Sequence, residues 1–260
     1  MRRPIVPLAA LLVAVAWASP GARAQTAPPP KPAVDPVAVA ALQRMGSFLR
    51  AQQVMQVRSE TTTDDVLGSG QKVEYGGTVD MKVRRPNRLR VDVISDRKNE
   101  RIYYDGNTFT VFQPALGYYA SFAAPPTLHQ LVDVLEQRYG VDLPLADLFR
   151  LGVDEGQIAS IRGATIVGPS AVQGAVCTHY AFHQADVDWQ IWIQDGPQPL
   201  PRKLVITTTT ERTQPQYTSV LNWNLAPSLD DQAFAFMPPP GANRIDFEVP
   251  SPGPANRSLK

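Results

Sequence analysis

Residues 82–90 read KVRRPNRLR and carry five cationic side chains in nine positions. Such a cluster can bind phosphate groups, because Lys and Arg side chains pair with anionic oxygens. Apolar and charged residues also alternate through 79–93, which predicts two β-strands with one apolar and one charged face. Pro86-Asn87 suits the turn between them. Three interpretations stay open: a solvated strand face, a contact with an anionic headgroup or partner, and nucleic-acid binding.

Two histidines could ligate a metal ion. His179 and His183 stand four residues apart in one predicted strand, with Asp186 and Asp188 just beyond. Residues four apart on a strand are about 13 Å from each other, so the two rings would share an ion only if the strand bent. We therefore expect no metal site and no cofactor.

No recognised catalytic motif is present. The sequence lacks G-x-S-x-G, a P-loop, H-E-x-x-H and paired metal-binding cysteines, and none of its three histidines stands beside an evident nucleophile. Cys177 is the single cysteine, which excludes an internal disulfide, and its apolar setting GAVCTHYAF predicts a small buried side chain. We expect no catalytic residue and no enzymatic activity.

The first 24 residues predict a secretory signal peptide. Arg2 and Arg3 provide a positive start, 5–17 is almost purely apolar, and Ala-Arg-Ala at 22–24 forms a cleavage site before Gln25. The apolar run is shorter than the roughly 20 residues of a membrane-spanning helix. The mature protein is therefore expected to be exported.

Cleavage also changes the charge. Removing Arg2, Arg3 and Arg23 lowers the basic residues from 25 to 22, against 24 acidic residues. A mildly acidic, exported domain is a poor candidate for binding nucleic acid, which depends on neutralising phosphates. We expect no nucleic-acid partner.

One domain is predicted over 35–249, between a proline-rich leader at 25–34 and a disordered tail at 250–260. Asp35-Pro36 is typical of a helix start and predicts a helix over 36–51. The predicted strands are 54–66, 72–85, 88–96, 99–104, 107–113, 116–122, 164–168, 174–184, 187–194, 202–211 and 215–225.

Two more helices are predicted between the two sets of strands, one bearing an apolar stripe from Leu128 to Tyr139 and a short one from Leu145 to Leu151. A sheet of about eleven strands is too long to stay flat. The predicted fold class is therefore mainly β (α+β), a curled antiparallel sheet with about three helices over its concave face.

Three segments carry a resemblance to a known family. RPN at 85–87 resembles the R-P-N of LolA-type proteins, and DGNT at 105–108 followed by Pro114 resembles their D-G-x-T…P hairpin. FAFMPPPG at 234–241 resembles their closing F-x-F-x-P-P-x-G segment. In this order, over roughly 36–248, the chain resembles the LolA/LolB-like periplasmic lipoprotein carrier superfamily. Within it, the chain is most similar to a family of predicted periplasmic proteins.

The resemblance implies an eleven-stranded half-barrel whose apolar concave face is closed by lid helices. It also implies that Arg85 latches the lid, and an inward guanidinium needs acceptors such as the carbonyls at the end of a lid helix. The chain departs from the family in three respects. The strand leading to Arg85 is longer than in LolA, its aromatic content differs, with Met81 and Val83 there, and the cysteine that lipidates LolB proteins is missing. The resemblance therefore supports the fold more firmly than the cargo.

We expect a non-catalytic, monomeric periplasmic carrier or chaperone for lipid or lipoprotein acyl chains, with an envelope protein as donor or acceptor. The predicted cavity residues are Val79, Met81, Val83, Leu89, Val91 and Val93 of the sheet and Leu128, Leu131 and Leu135 of the lid. Trp189 and Trp192 lie on opposite faces of one strand, so at most one faces the cavity. An envelope sensor or protein-interaction module is the alternative. In a third interpretation, the helices fill the concave face of a structural domain.

Overall fold

The computed structural model describes residues 34–247 except Asp142, Ala146, Leu151 and Val153. The side chains of Asp147 and Phe149 are also outside the description. The predicted signal peptide, the leader before Val34 and the predicted tail lie outside the described residues.

Helix α1 spans Pro36–Ala51, the range predicted from the sequence. It begins there because the Asp35 carboxylate accepts a hydrogen bond of 2.8 Å from the Val37 N–H, and proline fits the first helical position. Its buried face combines large and small side chains: Ala38, Ala41, Leu42, Met45, Gly46 and Leu49.

Twelve strands form one sheet within the described residues. They are β1 Val54–Val66, β2 Lys72–Arg84, β3 Arg88–Ser95, β4 Asn99–Tyr104, β5 Thr108–Gln113, β6 Tyr118–Ala123, β7 Gly163–Val172, β8 Ala175–His183, β9 Val187–Gln194, β10 Pro201–Thr208, β11 Gln216–Asn224 and β12 Asn243–Ile245. The order is β12-β6-β5-β4-β3-β2-β1-β11-β10-β9-β8-β7, and all pairs except β12–β6 are antiparallel. All eleven predicted strands are present, whereas β12 was not predicted.

The chain crosses from β6 to β7 through short helices. Helix α2 covers Leu128–Val134, is capped by the Thr127 hydroxyl, and continues as a wider π-helical turn at Leu135–Tyr139. Helix α3 covers Asp147–Arg150, shorter than predicted, and α4, Glu155–Ala159, was not predicted. No helix in the described part of the chain is long and apolar enough to cross a bilayer.

Two apolar clusters cover the concave face of the sheet. The first joins β1–β5 to α2, its π-helical turn, Leu143, Leu145 and Leu148, and the second joins α1 to β7–β10. Trp223 and Leu225 contact both clusters. The sheet therefore curls around the helices as a half-barrel, which confirms the predicted fold class.

The segment after β11 wraps around the β6 edge of the sheet. Phe236 packs on the outer face at ring-centroid distances of 5.0–5.4 Å from three aromatic side chains: Tyr103, Phe112 and Tyr119. β12 then pairs with β6, and Phe247 contacts Phe109, Phe122 and Tyr139 on the concave side. This edge of the sheet is therefore covered rather than open to another strand.

We predict that Leu131→Ala lowers the free energy of unfolding by about 2–5 kcal/mol, because Leu131 is fully buried between α2 and the sheet. Urea unfolding of the mature protein measures this loss. The matched control, Leu116→Ala, changes a side chain that is 65% exposed and should alter stability by at most about 0.5 kcal/mol. A loss at position 131 no larger than the control would show that α2 does not contribute to the core.

Candidate functional site

Four of the five cationic side chains at 82–90 pair with carboxylates on the outer face of the sheet. Their partners are three aspartates: Asp80, Asp92 and Asp231. The Lys82 ammonium lies 3.7 Å from Asp80 and 3.9 Å from Asp92, and Arg90 lies 3.0 Å from Asp92. Arg84 and Arg88 pair with Asp231. The arrangement favours a solvated strand face over a phosphate-binding surface.

Arg85 is the member of the cluster that contacts a helix end. Its Nε–H donates a hydrogen bond of 3.1 Å to the carbonyl of Gln52, the residue that follows α1, and its backbone N–H donates to the Gln53 carbonyl at 2.8 Å. Burial and the nearby Arg50 charge lower the pKa of Arg85. The predicted acceptor, a carbonyl at a helix C-terminus, is present, but it belongs to α1 rather than α2.

The same turn also contacts the start of α2. The Pro86 carbonyl accepts a hydrogen bond of 2.9 Å from the N–H of Leu128, the first residue of that helix. That N–H has no partner inside its own helix. The turn at 85–87 therefore joins the end of α1 and the beginning of α2 to the sheet. A latching role for Arg85 stays a prediction.

We predict that Arg85→Ala increases the rate of amide hydrogen exchange in the last turn of α1 about tenfold, because hydrogen bonds from a charged donor contribute about 1.5–3 kcal/mol. Exchange followed by mass spectrometry measures it. Arg84→Ala is the matched control, because Arg84 lies next in the chain but pairs with Asp231 on the outer face. Unchanged protection of α1 in Arg85→Ala would contradict the predicted contact.

All nine predicted cavity residues lie in the first cluster. Each is at most 7% exposed, and Leu128, Leu131 and Leu135 belong to the same buried cluster as the apolar residues of β2 and β3. The structure therefore brings the predicted residues together, with α2 filling the space above the strands. Whether they contact a ligand stays a prediction.

An apolar cavity lies under the other half of the helical layer. Its volume is about 180 Å³, and its walls come from α1, the α4 region, β9 and β10. The lining residues are Leu42, Gly152, Gln157, Ile158, Ile161, Gln184, Val187, Trp189, Leu204 and Ile206. This volume equals that of roughly six water molecules. It is smaller than the 300–1,000 Å³ typical of ligand pockets, so it has room for a small ligand or for one end of a larger one.

Helix α4 covers this cavity and is held mainly by polar contacts. No residue of α4 is buried. The Trp189 indole N–H donates to the Gln184 side-chain oxygen at 3.1 Å, and the Gln184 amide donates to the Ser160 hydroxyl at 2.5 Å. Ser160 in turn donates to the Gln157 carbonyl at 2.7 Å. A segment with little buried apolar surface separates from the rest of the fold at low free-energy cost, so α4 is the least firmly held part of the cavity wall.

The two tryptophans of β9 face opposite sides of the sheet, as predicted. Trp189 stacks on Phe182 at a centroid distance of 4.1 Å and lines the cavity. Trp192 stacks on His179 at 3.9 Å, with an interplanar angle of 8°. Trp189 is thus the tryptophan of β9 that faces the cavity.

The remaining reactive side chains have structural partners. His179 shares a hydrogen bond of 3.0 Å with Gln190, and His183 shares one of 2.6 Å with Asp188. No group of three metal-ligating side chains occurs within the described residues. Cys177 is a buried free thiol, and burial raises its pKa, which disfavours the reactive thiolate.

Gly152 lets the chain between α3 and α4 touch α1. Its φ is +74°, and a Cβ atom placed there would lie 2.0 Å from the Leu42 carbonyl oxygen and 2.6 Å from the carbonyl carbon. Backbone atoms of α1 leave no room for a side chain at this position. The contact therefore fixes one wall of the cavity.

We predict that Gly152→Ala destabilises the protein by at least about 2 kcal/mol more than Gly174→Ala. Both substitutions place a side chain on a left-handed backbone, which costs roughly 1–2 kcal/mol. Only the alanine at position 152 also collides with α1, because nothing lies within 4 Å of a Cβ atom at Gly174. Chemical unfolding of both variants measures the difference. Equal losses would indicate that the α4 region moves away from α1 without resistance.

Sequence reasoning missed most of the cavity lining. Leu42, Leu204 and Ile206 follow the same apolar patterns as any core residue, and Gln157 lies in a segment without helical periodicity. The isolated Gly152 between the two helical segments was the one available signal for a close backbone approach.

Comparison with known proteins identifies a family and several similar folds. The model of a family described as "Predicted periplasmic protein (DUF2092)" matches residues 38–248. No curated protein matches the chain.

Three solved structures illustrate the similarity. The lipoprotein LppX of Mycobacterium tuberculosis is 13% identical, with 75% of this chain and 100% of that chain covered and a TM-score of 0.47. LprF from Mycobacterium bovis is 14% identical, with coverages of 82% and 100% and a TM-score of 0.40. A LolA superfamily protein from Nitrosomonas europaea is 12% identical, with coverages of 76% and 97% and a TM-score of 0.37.

Proposed function

Since the chain belongs to the DUF2092 family of predicted periplasmic proteins, we propose that it is a non-catalytic periplasmic carrier for lipid or lipoprotein acyl chains. The acyl chain binds against the concave face of the half-barrel, and no covalent chemistry is required. The membership confirms the family resemblance and the periplasmic location that were expected from the sequence. The identity of the cargo and the carrier activity are our proposal.

The observation that carries the proposal is the apolar cavity beneath α4. Its walls are mostly aliphatic and aromatic, and its cover is a helix without a buried residue. Each buried methylene contributes about 0.8 kcal/mol, so five or six methylenes in this volume contribute roughly 4–5 kcal/mol before ordering costs. This suffices for reversible binding of one end of an acyl chain.

Longer cargo requires more of the concave face. We propose that α2 then moves away from β2 and β3, so that the nine predicted cavity residues contact the chain. The turn at 85–87 supports this role, because it contacts both α1 and α2 and so couples the two parts of the cover. Release would follow contact with an acceptor in the envelope.

We predict that Val187→Phe weakens binding of a fluorescent fatty acid at least tenfold, because the larger ring fills the cavity that Val187 lines. Val176→Phe is the matched control, since Val176 is 63% exposed on β8 and lies outside the cavity lining. Titration of both variants and the parent measures the difference, with circular dichroism and thermal unfolding confirming the fold. A tenfold change corresponds to about 1.4 kcal/mol.

The cargo is tested on protein purified from the periplasm. Native mass spectrometry, followed by solvent extraction and lipid identification, should find an acylated molecule on the parent and less of it on Val187→Phe. Equal binding by both proteins would place the cargo elsewhere on the concave face. Absence of both co-purified lipid and probe binding would overturn the carrier proposal, and a stoichiometric bound protein would then favour the envelope sensor.

A further inference from the structure

The apolar cavity lies near one end of the half-barrel. Because consecutive strands of the meander are antiparallel, five of its turns lie at the same end of the sheet: 67–71, 96–98, 114–117, 184–186 and 209–215. Three residues that line the cavity are close to this end: Gln184 lies in one of the turns, Val187 begins β9, and Ile206 lies two residues before the end of β10. We call this end of the half-barrel the cavity end.

Large apolar side chains are exposed at the cavity end. Leu67 and Leu116 lie in two of its turns, and Leu116 is 65% exposed. Tyr118, the first residue of β6, is also exposed. Met237 is 80% exposed and follows Phe236, which packs beside the turn at 114–117. Four large apolar residues are therefore in contact with solvent near the cavity.

The opposite end of the half-barrel differs. Among the described residues, no large apolar side chain is exposed in its connections at 52–53, 85–87, 105–107, 173–174 and 195–200, and Val176 in the first turn-flanking positions of β8 is the nearest counterpart. Single exposed apolar residues are normal on a protein surface, but several at one end indicate an interaction surface. The asymmetry therefore marks the cavity end as the end that contacts another apolar surface.

Electrostatic attraction contributes little to this surface. Three cationic side chains near the turns are paired with carboxylates: Lys72 with Asp64 at 2.8 Å, Lys98 with Glu100 at 3.3 Å, and Arg97 with Asp65. These ion pairs offset the positive charge that would otherwise attract the cavity end to anionic lipid. Apolar contact is therefore the dominant attraction that this end offers.

We propose that the cavity end docks on the surface of a lipid bilayer, with Leu67, Leu116, Tyr118 and Met237 inserted at the boundary between headgroups and acyl chains. Leu67 and Leu116 stand on turns that are four strand spacings apart, about 19 Å along the sheet. A bilayer accepts such separated side chains individually, whereas a protein partner would need a complementary pocket for each. Tyrosine suits this boundary because its ring is apolar and its hydroxyl is polar.

This inference rests on the proposed function for its purpose. Docking would place the cavity beside the lipid from which an acyl chain is taken or to which it is returned. The docking surface and the cavity consist of different residues, so each can be changed without the other.

The test is flotation of the full mature protein with vesicles of phosphatidylcholine and phosphatidylethanolamine. We expect the parent to float with the vesicles equally at low and high salt, because salt screens charges and not apolar contacts. Leu116→Ser combined with Met237→Ser should weaken this association at least tenfold, since two inserted apolar side chains are lost. Val176→Ser, at the opposite end, is the matched control and should float like the parent.

A second measurement reports which end contacts the lipid. Leu116→Cys and Gln198→Cys each place a thiol at an exposed position, Gln198 being at the opposite end, and the native Cys177 is buried. A polarity-sensitive dye on the introduced thiol should shift to the blue on addition of vesicles at position 116 and should not change at position 198. Urea unfolding checks that every variant keeps the parent stability.

The outcomes separate this inference from the carrier proposal. Absence of vesicle association in the parent, with fatty-acid binding intact, overturns the docking surface and leaves the carrier function standing. Association that persists in the double serine variant, or that disappears at high salt, also overturns it. Retention of an envelope protein through Leu116 and Met237 without vesicle association would assign the surface to a protein partner instead. Vesicle association without fatty-acid binding would overturn the carrier function and support the docking surface.

Discussion

The pairing of β1 with β11 determines the rest of the architecture. Because these strands are neighbours, β1–β6 extend the sheet in one direction and β11–β7 in the other, so β6 and β7 lie at opposite ends of the meander. Ten strand spacings of about 4.8 Å separate them, roughly 48 Å in a flat sheet. The segment that connects them must cross a face of the sheet, and it lays α2, α3 and α4 over the concave side.

The two halves of that face are covered in different ways. Over β2 and β3, α2 contributes Leu128 and Leu131, and the π-helical turn that follows it contributes Leu135 to the same buried cluster. Over β9 and β10, half of the buried positions of α1 carry small residues: Ala38, Ala41 and Gly46. Less side-chain volume is available there, which is consistent with the cavity lying on that side. The turn at 85–87 contacts the end of α1 and the beginning of α2. A displacement of one helix would therefore act on the other through this turn.

Much of this fold could be predicted from local sequence patterns. The alternation through 79–93 predicts β2 and β3 because a half-buried strand requires it, and Asp35-Pro36 predicts the start of α1 from its capping chemistry. β12 is three residues long and pairs in parallel with a distant strand, so no local signal marks it. The cavity depends on volumes left between elements. Trp189 and Leu204 therefore look like core residues in the sequence, and Gln157 looks like a surface residue.

The polar attachment of α4 has a thermodynamic consequence. Denaturant sensitivity and heat-capacity change both scale with the surface exposed in a transition. Helix α4 buries none of its own residues, so the apolar area exposed by its detachment is mainly that of the cavity wall, including Leu42, Trp189 and Leu204. Opening of the cavity should therefore respond less to urea and to temperature than global unfolding, which also exposes both apolar clusters. In the proposed carrier, a ligand would thus enter or leave without the protein approaching its unfolding transition.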